Sequence, residues 1–273
     1  PRSWTAALIF MYPARPMSPE ARTIIDQIVA QMQSLPAAKL RLVRIVVERL
    51  GQSSHHELLL NSLFDECFAA GFEGVLQIHH ALSDAPFSKD KFEWGMVQVL
   101  RGCGHAAKQG PRGYSGYDIE VDQERWSLKT QADKNIKLDS LHISKFRELG
   151  KGKWQAASDL SGLRDQMLSH LDQYDRIFSL RHFYQESPDG HKHFYELVEI
   201  PKSLLAEAAN GQIKMIHASK QRPKPGYCTV EGKFELYFDG GTERKLQIKN
   251  LMKSHCLVHA NWTVADLTTS ASS

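Results

Sequence analysis

The sequence predicts an α+β protein with a mixed sheet, and three features of the chain carry that prediction. The N-terminal third is patterned for helices. The middle reads as helix, strand, strand, helix, strand, strand. The last third is mostly short strands separated by turns. A chain of 273 residues can bury a substantial core, as one large domain or a domain with an appended subdomain. The expected divisions are a helical N-terminal region at 1–85, a core at 86–200 and a β-rich basic part at 201–273 packed on that core.

Composition narrows the class. Hydrophobic content of 42% and charged content of 24% are ordinary for a globular protein. A formal charge of +3 permits an anionic partner without demanding one, so the placement of charge matters more than its total. Cys67, Cys103, Cys228 and Cys256 show no C-x-x-C spacing, which points to four reduced thiols in a cytoplasmic protein. The apolar run from Trp4 to Tyr12 is too short to span a bilayer, lacks a small-residue cleavage site, and ends at Pro13 and Pro16. No other segment approaches a membrane span, so a soluble protein is expected.

Along the chain, Ser18-Pro19-Glu20 supplies a cap, a proline at the first helical position and an early acid. Ile24, Ile25, Ile28, Val29 and Met32 follow at helical spacing, and a second apolar run from Leu40 to Leu50 comes after Pro36. Residues 55–83 read as another helix pair, broken near Gly71. His55-His56 and His79-His80 lie there, but adjacent histidines point to different sides of a helix and have no acidic or cysteine partner at zinc-like spacing. They read as structural or surface residues. Ser88 caps a further helix whose stripe is Phe92, Met96, Val97 and Leu100, with Glu93 beside it. A glycine-rich polar loop then runs from His105 to Gly116.

The stretch from Gly116 to Gln131 reads as a hairpin. Tyr117, Ile119 and Val121 alternate with Asp118 and Glu120; Asp122 to Arg125 is polar enough to turn. Trp126 and Leu128 then alternate with Ser127, Lys129 and Gln131. Strand side chains alternate faces, so Asp118 and Glu120 share one face, and Ser127, Lys129 and Gln131 share one on the next strand. If those faces meet, carboxylates and an ammonium converge in a way that suits a divalent metal beside a phosphate. The same residues also suit a cross-strand salt pair of little worth at a surface.

Beyond the hairpin, Lys134 and Lys137 make a basic segment, and 138–149 reads as a helix or extended turn. Ser158-Asp159 caps a helix from Leu160 to Tyr174. Strands from Arg176 to Tyr184 and His193 to Ile200 follow, joined by a turn at Ser187-Pro188-Asp189-Gly190. Strands are expected at 212–218, 227–230, 233–238, 244–251 and 256–263, with Asp239-Gly240-Gly241 as a hairpin turn. Between Pro201 and Trp262, ten Lys or Arg stand against five Asp or Glu, and Lys220, Arg222 and Lys224 form a proline-stiffened basic loop. It suits a solvated surface and phosphate contact equally.

With its helix, hairpin, helix and strand in that order, the region 88–184 resembles the PD-(D/E)XK nuclease superfamily, to which many restriction and repair endonucleases belong. The matching positions are Asp118, the Ser127-Leu128-Lys129 triplet and Glu93. The chain departs from the motif twice: Tyr117 precedes Asp118 where proline is usual, and Ser127 stands where an acid is usual. A Ser-x-Lys version resembles that of some restriction enzymes, in which another acid supplies the missing carboxylate; Glu93 and Glu120 are the candidates. The resemblance implies a restriction-endonuclease-like core, Mg²⁺ bound by Asp118 with Glu93 or Glu120, and catalysis by Asp118, Ser127, Lys129 and Glu93, with Gln131 positioning water or phosphate. It further implies a homodimer cutting double-stranded DNA at a specific sequence, with Lys134, Lys137, Lys220, Arg222 and Lys224 on the phosphates. A structure-specific repair or recombination nuclease and a non-catalytic DNA-binding protein with a nuclease-like fold remain alternatives.

Overall fold

The computed structural model describes residues 17–59, 63–111, 113, 116–132, 136–150, 153–187 and 190–265. The run from Trp4 to Tyr12, Lys134, the Pro188-Asp189 turn and the tail after residue 265 lie outside the described residues. The chain divides into two compact units, residues 1–49 and 50–273. In the first, α1 (Pro19–Met32) starts as the sequence predicts: Ser18 Oγ accepts the Ala21 N–H at 3.1 Å, and Pro19 occupies the first turn. After Pro36 comes α2 (Ala37–Leu50).

The second unit contains β1 (Ser54–Leu58), α3 (Glu66–His80), α4 (Lys89–Gly102), β2 (Ala107–Gln109), β3 (Ile119–Val121) and β4 (Glu124–Gln131). These are followed by β5 (Ser140–Glu148), α5 (Ala157–His170), β6 (Arg176–Ser187), β7 (Gly190–Glu199) and α6 (Lys202–Ala206). Three short strands and two longer ones complete it: β8 (Gln212–Met215), β9 (Gly226–Val230), β10 (Phe234–Phe238), β11 (Lys245–Met252) and β12 (Leu257–Ala265). The protein is α+β. A mixed seven-stranded sheet has the order β1-β12-β7-β6-β4-β3-β2, and a five-stranded sheet has the order β5-β11-β10-β9-β8. Among the described residues only the β4–β6 pair is parallel, with Trp126 opposite Arg176 and Gln131 opposite Arg181. A parallel pair needs a crossover, and β5 and α5 provide it.

Alternation along the strands feeds two cores. Trp126, Leu128, Phe178 and Leu180 face α3 and α4, packing against Phe68, Phe72, Phe92 and Met96. Ile177 and Val198 face the opposite way, into a second core with Leu160 and Met167 of α5 and with Ile143, Leu236 and Ile248 of the smaller sheet. The large sheet is therefore covered on both faces, and the segment carrying Ser127 and Lys129 lies between the two layers.

Several expectations change. Residues 54–58 are a strand on β12, not part of a helix pair: Ser54 and His56 point inward onto Glu73, so this inward face is polar and shows no apolar alternation. Residues 140–148 are also a strand. Their pairing with β11 slips twice, which places Leu141, Ile143 and Phe146 inward at an irregular spacing that resembles a helical one. β1 and β12, far apart in sequence, pair with each other inside the unit that begins at Leu50. Of the four cysteines, Cys228 and Cys256 are free thiols, but Cys67 and Cys103 form a disulfide, with Cα atoms 5.8 Å apart. The contact of α3 with the end of α4 brings together positions 36 residues apart, which no local spacing reveals.

Candidate active site

The β3–β4 hairpin forms where predicted. Its two-residue turn is made by Asp122 (φ 47°) and Gln123 (φ 74°), the left-handed pair that matches strand twist. Asp122 also accepts the Ala106 N–H at 2.9 Å, tying the turn to the residue before β2. On the entering side, a Cβ at Gly110 would stand 2.6 Å from the Tyr117 carbonyl oxygen, so only glycine allows β2 to lie this close to the chain ahead of Asp118. The Asp118 N–H donates to the Trp126 carbonyl at 2.9 Å, extending the ladder by one residue and fixing the carboxylate over β4.

That carboxylate is the hub of the site. Oδ2 accepts the Leu128 N–H at 2.5 Å and the Ser127 hydroxyl at 3.3 Å, and lies 3.9 Å from Lys129 Nζ. Lys129 Nζ donates to Ser127 Oγ at 3.0 Å, so the serine links the ammonium to the carboxylate. Oδ1 accepts from Lys89 Nζ at 2.6 Å, and the same nitrogen is 3.0 Å from Glu93 Oε1, one turn further along α4. Five side chains from one helix and one hairpin thus form a continuous polar chain.

Burial and charge divide their protonation. Burial dominates at Lys129 and pushes its ammonium down to about 8, with Asp118 opposing the shift. Burial also acts on Asp118, but Lys129 and Lys89 outweigh it and hold the carboxyl below its usual range. Glu93 is raised, because burial exceeds the help it receives from Lys89. Burial opposes the charge on Lys89 too, yet Asp118 and Glu93 keep that ammonium above its ordinary value.

The hub opens on a cleft of about 510 Å³ lined by Gly116, Asp118, Ser127, Lys129, Phe146, Arg147, Gln166 and His170, among others. A second opening of about 420 Å³ exposes Lys89, Asp118 and Lys129 beside β5. Arg147 donates to the Gln166 carbonyl at 2.6 Å, joining β5 to α5 across the cleft wall. Burial, then Arg147 and Lys129, lowers the His170 imidazole below its usual value. The resulting recess has a carboxylate and a dehydrated ammonium on its floor and a guanidinium and an imidazole on its wall. It suits an anion held beside a cation.

The structure brings Asp118, Ser127, Lys129 and Glu93 together. Glu120 stands apart, 2.8 Å from Lys108 of β2 and within 3.5 Å of the Tyr117 hydroxyl. Gln131 is buried in a neighbouring recess and accepts from Arg181 Nε at 3.2 Å. Lys137 lines that recess and its carbonyl accepts from Arg181, while its side chain is exposed. Lys220 is exposed; Arg222 donates to the Gln221 carbonyl at 2.9 Å and Lys224 to the His217 carbonyl at 2.6 Å, both closing their own loop. Sequence reasoning missed Lys89, Arg147 and His170. Lys89 could have been found four residues before Glu93, one helical turn away. Arg147 and His170 carried no local signal, since their places depend on how β5 and α5 pack.

The donor set fits a divalent cation. Asp118 Oδ1 and Glu93 Oε1 are hard carboxylate oxygens already converging on one positive charge, and the opening lined by Lys89 and Asp118 leaves room for water and phosphate oxygen as further ligands.

A family model described as SmaI, type II site-specific deoxyribonuclease, matches residues 35–264. The chain is 43% identical over 206 residues to the type II restriction enzyme SmaI of Serratia marcescens, covering 73% of this chain and 81% of that protein. No solved structure matches the chain significantly. No helix among the described residues is long and apolar enough to cross a membrane. On the family match and this level of identity, the chain belongs to the SmaI family of type II site-specific deoxyribonucleases.

Proposed function

We propose that this restriction endonuclease is a Mg²⁺-dependent homodimer of the PD-(D/E)XK superfamily that cuts both strands of duplex DNA in the cytoplasm. The observation that carries the reading is the convergence of Asp118 and Glu93 on one point, with Lys129 beside Asp118 and joined to it through Ser127. Asp118 and Glu93 are the residues that would hold the metal. Glu120 is the weaker candidate, because Lys108 already holds it outside the cleft. A cation held by them would supply polarisation of the phosphodiester and favour attack by water. Lys129, stripped of most of its water, orients that water and stabilises charge developing on the phosphate. Ser127 holds Lys129 in place from a position where an acid is more usual. Gln131 supports the site through Arg181 rather than by touching the phosphate.

Cutting both strands needs two active sites, and the described residues hold one such cluster, so a symmetric pair of chains is the simplest assembly. Among the described residues, the exposed Lys137 and Lys220 are the preferred phosphate contacts, with Arg222 and Lys224 stiffening the loop that presents Lys220; the sequence adds Lys134 as a further contact. Digestion of a long DNA of known sequence tests the reading. Discrete, reproducible fragments are expected with Mg²⁺ and none in chelator; fragments that form equally in chelator would contradict it.

A further inference from the structure

Lys89 has no part in the chemistry above, yet it occupies the centre of the candidate metal site. Its nitrogen lies 2.6 Å from Asp118 Oδ1 and 3.0 Å from Glu93 Oε1, the two oxygens offered to the metal. We propose that the Lys89 ammonium is a built-in stand-in for the cation: it holds the two carboxylates together in the metal-free protein and must leave when the metal binds. The inference rests on the reading of Asp118 and Glu93 as metal ligands.

The charges in the cluster explain why a stand-in is needed. Asp118 and Glu93 carry two negative charges into a partly buried site, and without a cation between them they would repel. Lys129 cannot bridge them, since it is 3.9 Å from Asp118 Oδ2, on the other side of that carboxylate, and is committed to Ser127. Lys89 fills the gap and brings the four-residue cluster to formal neutrality. A divalent cation at the same oxygens cannot coexist with the ammonium, so the two compete.

Lys89 is also built to leave. It is the first residue of α4, and its side chain is 41% exposed, against 13% for Lys129. Its flexible stem can swing the ammonium out into the opening it shares with Lys145 and Arg147. A DNA phosphate in that opening would receive it. Duplex binding would then draw Lys89 off the carboxylates and tighten metal binding, so one side chain couples the two ligands.

The test is calorimetric titration of the full chain with Ca²⁺, with and without a short duplex, for wild type, Lys89→Met, Lys89→Arg and Asp118→Asn. Lys89→Met removes the charge and keeps the length. It is expected to bind Ca²⁺ about 5- to 150-fold more tightly than wild type without DNA, and to lose much of the gain that DNA gives wild type. Lys89→Arg should stay near wild type. Unchanged or weaker binding by Lys89→Met overturns the proposal, and weaker binding would mean that Lys89 organises the carboxylates for the metal instead of competing with it. Asp118→Asn separates the two layers of argument. If it binds Ca²⁺ as well as wild type does, the metal-site reading has failed, and the stand-in with it. If it loses binding while Lys89→Met is unchanged, only the stand-in has failed.

Discussion

Asp118 is asked to do two things at once. Oδ2 is tied to β4 by the Leu128 N–H and the Ser127 hydroxyl, while Oδ1 faces Lys89 and the cleft. A carboxylate held on one oxygen and offered on the other is aimed as well as charged. The choice of second acid follows from similar geometry. Glu93 shares Lys89 with Asp118, whereas Glu120 is paired with Lys108 on β2. Glu93→Gln should therefore lower the cleavage rate in Mg²⁺ by about 10²-fold or more, while Glu120→Gln should stay within a few-fold of wild type. Single-turnover rates on one plasmid substrate check both, and a larger loss in Glu120→Gln would exchange their roles.

At the scale of elements, the β3–β4 hairpin and the start of α4 form the candidate site, and β5 with α5 walls it. The entry to β5 is pinned by Arg181, which is fully buried on β6. It donates to Glu196 at 2.6 Å, to the Ser140 carbonyl at 3.0 Å and to Gln131, so one guanidinium ties the two sheets together. Arg181→Met should cost about 3 kcal/mol of stability, the low end for breaking a buried pair, because Lys253 still faces Glu196. Denaturant melts measure it, and a loss below about 1 kcal/mol would show that this network is not what holds β5. The hairpin and α4 were legible in the sequence because their patterns are local: alternation, a polar turn, a serine cap and a helical stripe. β1 was hidden because Ser54 and His56 point inward onto Glu73, and β5 because its two register slips break the period of two. The site was legible to the same degree. Ser127, Lys129 and Asp118 follow from alternation within one hairpin, whereas Lys89, Arg147 and His170 reach the cleft only through packing.

Across the whole molecule, a cluster of buried histidines makes stability depend on pH. His80 stacks on His193 with ring centres 3.6 Å apart and bonds the Tyr195 hydroxyl at 2.8 Å, and His182 meets His193 at 3.0 Å. Burial, then the neighbouring His193, lowers His80 to about 2 and His182 to about 3. A histidine whose folded value lies below its unfolded 6.5 binds fewer protons when folded, so its contribution is complete above pH 6.5 and is lost as pH falls below it. Each such histidine should remove up to about 1.4 kcal/mol of stability per pH unit between pH 6 and 4. Unfolding free energies across that range should slope less steeply in His182→Phe than in wild type, and an unchanged slope would remove this cluster as the cause. The proposed chemistry rests on the Asp118 cluster, in which Ser127 links the Lys129 ammonium to the carboxylate. The most direct test of that account is Lys129→Ala, assayed for cleavage of a cognate DNA in Mg²⁺ and for binding of the same DNA in Ca²⁺. Cleavage should fall by about 10²–10³-fold or more with binding retained. Cleavage at the wild-type rate would show that the Asp118–Ser127–Lys129 cluster is not the active site.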